Sequence, residues 1–148
     1  MFILNLVTTL CIGLMIGTEL TVSVFINPVL YTLDSATQAR TIRLFAARLG
    51  AAMPFWYIAG LLLLVAEAVL LRHTPAALWL VAACAIWALV IVLTLIFLVP
   101  INNRTARMDI SAFEGYARRE HQSWERRHRL RVAALIVAMV CFLVAIGI

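Results

Sequence analysis

Apolar residues run through this chain in four long blocks, at about 4–27, 51–71, 76–99 and 131–148, each broken by few charges. A helix crossing a bilayer needs about 20 mostly apolar residues, so each block predicts a membrane-spanning helix. Helix-ending chemistry sits between the blocks. Asn27-Pro28 closes the first, Arg72-His73-Thr74-Pro75 separates the second from the third, and Pro100 closes the third, while the fourth runs from Arg131 to Ile148. The expected fold is all-α, a four-transmembrane-helix bundle forming one integral membrane domain over residues 1–148.

The segment before the fourth block carries its own pattern. Ser111-Ala112-Phe113-Glu114 reads as a capping box, and no proline follows it. One helix is therefore expected from Ala112 to the C-terminus. At about 100° per residue, Phe113, Ala117, Glu120, His121, Trp124, Arg127, His128, Arg131 and Leu135 share a face. Arg118, Arg119, Gln122, Arg126 and Arg129 lie opposite. The fourth helix should thus extend beyond the membrane as an amphipathic, cytoplasmic stretch. Phe25-Ile26-Asn27-Pro28-Val29 and Val99-Pro100-Ile101-Asn102-Asn103 are faintly alike, too short a likeness to establish a repeat.

Composition agrees with the blocks. Of 148 residues 65% are hydrophobic and 13% charged, against roughly 45–50% and about 25% in soluble domains, which excludes an ordinary soluble globule. The basic residues are all arginine, 12 against 7 acids. With four spans, the loop at 28–50 and the segment at 100–131 share one side. They hold Arg40, Arg43, Arg48, Arg104, Arg107, Arg118, Arg119, Arg126, Arg127, Arg129 and Arg131, while the other side holds Arg72 alone. The positive-inside rule makes the arginine-rich side cytoplasmic and puts both termini outside, in the cell (inner) membrane. The arginines suit anionic lipid headgroups, and no motif supports a nucleic acid partner. Cys11, Cys84 and Cys141 lie inside apolar blocks without a CxxC pair and read as small core residues. Residues 1–18 carry neither the basic stretch nor the cleavage pattern of a secretory signal, so the first block reads as an uncleaved helix.

An ionisable group inside a bilayer is unfavourable by roughly 2.5–3.5 kcal/mol on insertion scales, and is a functional candidate for that reason. Glu19 fits best. It lies eight residues before Asn27, roughly 12 Å into the membrane at 1.5 Å per residue; a carboxyl hydrogen-bonded to another helix is the structural alternative. Glu67, close to Arg72 at the other end of its helix, is expected to snorkel or to pair with that arginine.

Topology brings Asn27, Trp56 and Tyr57, Asn102 and Asn103, and the Trp124/His128/Arg131 stripe to the cytoplasmic end. Trp124, His128 and Arg131 follow i, i+4, i+7 and project in one direction. An imidazole beside carboxamides and an arginine can act as a base with donors for a developing oxyanion. An interfacial belt of aromatics and arginines is the structural alternative. Glu125-Arg126-Arg127-His128 has the Glu-x-x-His spacing used in di-iron bundles, but it occurs once. A metal held by Glu19, Glu125 and His128 is a minor option, no metal or other cofactor being expected. A site from His121, Glu125 and His128 is the single-face version, disfavoured by the surrounding arginines.

Asn-Pro after the first block, Pro-Ile-Asn-Asn after the third and Trp-x-x-x-His-x-x-Arg entering the fourth together resemble the anthrone-oxygenase-like family of small four-helix membrane proteins. The likeness is architectural over most of the chain, and its specific part is Pro100 to Asn103 and Trp124 to Arg131. What it implies is oxidation of an anthrone to an anthraquinone by molecular oxygen without an evident organic cofactor. On matching positions His128 would be the base. Asn102, Asn103 and Arg131 would steady the anionic oxygen, Glu19 would complete the catalytic set, and Trp124, Trp56 and Tyr57 would stack on a planar substrate beside Asn27. Many relatives have no known substrate. Two other classes therefore stay open: a membrane protein that binds a lipid, quinone or haem-like ligand without transforming it, and a structural partner subunit. A homodimer that completes the site is compatible with so short a chain.

Overall fold

The computed structural model describes residues 1–107 and 118–147. Four helices carry the described residues: α1 (Phe2–Leu30), α2 (Ser35–Leu70), α3 (Ala77–Arg107) and α4 (Arg118–Gly147). Each is long and apolar enough to cross a membrane, and no strand occurs among the described residues. The expected capping box and the start of the amphipathic stretch at 111–117 lie outside the described residues.

The helices run past the limits that hydropathy set. α2 begins at Ser35 rather than near residue 51, because its first turns are amphipathic. Ala39 and Ile42 bury against Leu30, and the Asp34 carboxylate caps the helix by accepting the Thr37 amide at 3.0 Å. That hydrogen bond holds the Asp34 carboxyl below the usual carboxylate range.

The two prolines expected to end α1 and α3 do not. Each follows a π-helical turn, Val22–Ile26 before Pro28 and Thr94–Leu98 before Pro100. A proline in a helix lacks the N–H that would serve the carbonyl four residues back, and its ring crowds that carbonyl. The wider turn shifts the pairing. Asn27 N–H reaches Val22 O, and Val99 N–H reaches Thr94 O, each five residues back. The faintly similar Asn/Pro exits thus share one backbone device.

Ile12, Met15, Leu64, Leu80, Trp87, Leu135 and Phe142 form the core between the helices. Two indoles fasten it. Trp87 Nε1 donates to the Tyr57 carbonyl at 3.0 Å, and Trp56 Nε1 donates to the Cys11 carbonyl at 2.9 Å. Gly60 lets α3 approach: a Cβ there would stand 2.6 Å from Trp87 Cζ2. The outward faces remain apolar, with Leu14, Leu62, Leu78, Leu89 and Val137 exposed, as lipid contact requires. The three cysteines are free, Cys141 buried and the others half-buried.

Glu67 neither snorkels nor pairs with Arg72. It is fully buried, accepting from Thr8 Oγ1 at 3.2 Å. With its amide nitrogen turned inward, Asn5 donates to both Glu67 oxygens at 3.2 Å. Arg72 instead bonds the neighbouring His73 and the Val69 carbonyl. The carboxyl points along the α1–α2 seam, where Thr8 supplies the polar partner, so it has no need to reach the membrane surface.

Candidate active site

Glu19 is the centre of the polar cluster. Although it sits in an apolar helix it is only 3% exposed, and every other helix but α3 brings it a partner. Tyr57 on α2 donates its hydroxyl to Oε1 at 3.0 Å. Arg131 on α4 donates to Oε2 at 2.6 Å, and its guanidinium carbon lies 5.6 Å from the centre of the Tyr57 ring. A buried carboxylate met by a cation and a hydroxyl is the arrangement burial demands of a charge.

His128 closes the cluster. Its Nε2 lies 3.1 Å from the Glu19 backbone carbonyl, which can only accept, so Nε2 carries the proton. Nδ1 then presents its lone pair to Arg131 at 2.8 Å, and stands 3.2 Å from Glu19 Oε2. The ring is stacked on Trp124, with centroids 4.6 Å apart, and Trp124 is stacked in turn on His121 at 5.7 Å. The i, i+4 and i, i+3 spacings along α4 create this column.

These groups form one end of a cavity of roughly 290 Å³ between the four helices. Its remaining wall is largely apolar, from Val22, Met53, Ile58, Ile91, Leu95 and Leu98. Thr94 Oγ1 and Arg131 Nε are buried without a hydrogen-bond partner among the described residues, and both residues line this cavity. A ligand with an oxygen at its polar end would satisfy the Arg131 donor.

The candidate residues divide in three dimensions. Glu19, Tyr57, Asn102, Asn103, Trp124, His128 and Arg131 all line the cavity. Asn103 is exposed. The Asn102 amide is held by the Ala46 carbonyl at 3.0 Å and packs where a Cβ on Gly50 would otherwise stand, so its nitrogen joins α2 to α3. Trp56 does not line the cavity; its indole is turned toward α1 and Cys11. Asn27 lines a second, smaller cavity of roughly 60 Å³, together with His121 and with Asn102 and Trp124, which border both spaces. The Asn27 amide nitrogen and His121 Nε2 are buried there without a hydrogen-bond partner among the described residues. Sequence reasoning could not find Met53, Ile91 or Leu95, because an apolar residue facing a cavity looks the same in sequence as one facing lipid.

The trio named for a metal does not converge. Glu125 accepts from Tyr31 at 2.7 Å and pairs with Arg129, and no group of three His, Cys, Asp or Glu residues suited to a metal occurs among the described residues.

Four membrane-length helices around an apolar cavity with a buried, ion-paired polar end define a small integral membrane protein. The anthrone oxygenase family matches residues 13–141, and the chain belongs to it. That stretch contains every residue of the cavity. No curated protein and no solved structure matches the chain.

Proposed function

We propose that this protein oxidises a planar, lipophilic aromatic molecule, anthrone-like or quinol-like, with molecular oxygen and without an organic cofactor. The observation that carries this reading is the Glu19–Tyr57–His128–Arg131 cluster at the polar end of an otherwise apolar cavity. Family membership supports an oxygenase-type role. Substrate pockets typically start at about 300 Å³, so a space of roughly 290 Å³ suits a compact ring system.

In this mechanism the substrate oxygen sits against Arg131, whose Nε has no hydrogen-bond partner among the described residues. As the guanidinium turns to that oxygen it releases the Nδ1 lone pair of His128, which takes a proton from the acidic ring carbon. Glu19 Oε2, 3.2 Å away, stabilises the imidazolium, and Arg131 stabilises the enolate oxygen. The carbanion passes its electrons to dioxygen, a C–O bond forms, and the imidazolium returns its proton to the peroxide anion, giving a hydroperoxide and a neutral His128. Loss of water breaks the O–O bond and leaves a ketone. The balance is one CH2 and one O2 to one C=O and one H2O. Tyr57 keeps the Glu19 carboxylate oriented, and Trp124 holds the imidazole plane. The protein lies in the cell membrane with the arginine-rich ends of its helices on the cytoplasmic side and the termini outside, and Arg40, Arg43 and Arg48, all exposed, meet anionic headgroups.

Native mass spectrometry of the protein in lipid nanodiscs, under anaerobic conditions with added anthrone, tests the binding half. One anthrone per chain is expected, lost when Met53→Trp fills the cavity. Metal analysis of the same sample tests the cofactor-free chemistry: stoichiometric iron or copper would overturn it. Anthrone binding unchanged in Met53→Trp would remove the cavity from the account. A co-purified lipid or quinone, neither displaced by anthrone nor consumed with oxygen, would favour a binding protein instead.

A further inference from the structure

We infer that the cavity opens sideways into the bilayer, through a window between α2 and α3, and that its ligand arrives from the lipid rather than from water. The window has a frame. α2 and α3 are pinned together at two levels by glycines that admit side chains from α3: Gly60 receives Trp87, and Gly50 receives Asn102. Ten residues separate the two glycines, roughly 15 Å along a helix at 1.5 Å per residue. A larger residue at position 60 would clash with the rigid Trp87 ring, and one at position 50 would displace the Asn102 amide.

Between the pins, both helices are built to part. Pro54 lies inside α2, between the glycines, where it cannot donate the backbone hydrogen bond of a regular helix. Opposite it, the π turn Thr94–Leu98 widens α3 between Trp87 and Asn102. The cavity lies in this interval. Pro54, Ile58 and Leu95 line it and are also exposed on the outside of the bundle, Ile58 by 53% and Leu95 by 59%. Residues that border a cavity and face outward at the same time form its mouth, and these lie in membrane-length helices.

The direction of the cavity follows. Its polar end, Glu19 and His128, is 3% and 1% exposed and lies deepest, while the mouth is aliphatic. A molecule with one oxygen-bearing end and an apolar body would slide in polar end first and leave the body at the window. Asn103, exposed and at the arginine-rich end of α3, marks the competing route, an opening to water. Only the identity of the ligand rests on the proposed oxidase function; the window rests on the two pins and the exposed mouth.

A small aryl diazirine that partitions into bilayers, photolysed with the protein in vesicles and mapped by mass spectrometry, tests the route. The carbene should mark Tyr57 and Thr94 inside the cavity as well as the lipid-facing Leu62 and Leu89. Ile58→Trp with Leu95→Trp should cut the inner labelling at least tenfold and leave the lipid-facing labelling unchanged, which also certifies folding. If the double variant does not insert, Leu95→Trp alone serves, with a smaller reduction expected. Inner residues left unmarked in the wild type, or marked equally in the variants, would overturn the window. A water-soluble, charged diazirine that marks the inner residues more strongly than the bilayer probe would establish the Asn103 route instead. Excess anthrone should suppress the inner marks alone. If it does not while the window variants do, the window stands and the anthrone assignment falls.

Discussion

Arg131 on α4 donates to Oε2 of Glu19 on α1 at 2.6 Å, so the first and last helices are joined by an ion pair inside an apolar bundle. Both side chains are nearly out of contact with solvent or lipid, the arginine 12% exposed and the carboxylate 4%. Breaking a buried pair from one side leaves an uncompensated charge, which destabilises by about 3–5 kcal/mol.

Arg131→Met should therefore lower thermal stability in detergent by that order, whereas Glu19→Gln with Arg131→Met should lose less than the two single changes added together. Melting curves of the three variants check this. Strict additivity would mean that the pair does not interact as described.

Neighbouring aromatics on α2 should behave differently. Trp56→Phe removes the bond to the Cys11 carbonyl and should cost about 1 kcal/mol of stability, with ligand binding and turnover unchanged. Tyr57→Phe removes a donor to the Glu19 carboxylate and should lower turnover roughly tenfold or more, since a hydrogen bond to a charged group contributes about 1.5–3 kcal/mol. Paired melting and steady-state measurements separate the two. An equal loss of turnover in both would place Trp56 at the ligand after all.

Helix packing offers a third contrast. Gly60→Ala brings a methyl to 2.6 Å from Trp87 Cζ2, and overpacking of this kind costs roughly 1–3 kcal/mol. Gly17→Ala meets nothing within 4 Å, and should stabilise by about 0.5–1 kcal/mol through helix propensity. Thermal unfolding of the two proteins should shift in opposite directions. A neutral Gly60→Ala would show that α2 and α3 are not pinned there.

Much of this is legible in the sequence, for identifiable reasons. The four spans follow from the length of the apolar blocks, and the Trp124, His128 and Arg131 stripe follows from helical spacing. Glu19 stands out because a carboxylate in an apolar run needs a partner. What pattern could not reveal depends on local backbone or on contacts between helices. Pro28 and Pro100 read as helix ends because the π turns before them leave no mark in the hydropathy. Glu67 looked like a partner for Arg72 because sequence shows its neighbour along the chain and not Thr8 across the seam. Asn27 and Trp56 arrive at the expected level but face a second cavity and α1, a rotation about the helix axis that the sequence does not define.

Oxygen uptake measured alongside product formation, with anthrone as substrate and the protein in nanodiscs, tests the oxidase function itself. One O2 should be consumed and one anthraquinone formed per turnover, above the spontaneous rate, with a loss of at least a hundredfold in His128→Gln in a protein that still inserts and melts cooperatively. Uptake no faster than the protein-free control would contradict the oxidase function, and full activity in His128→Gln would contradict the chemistry assigned to the Glu19 cluster.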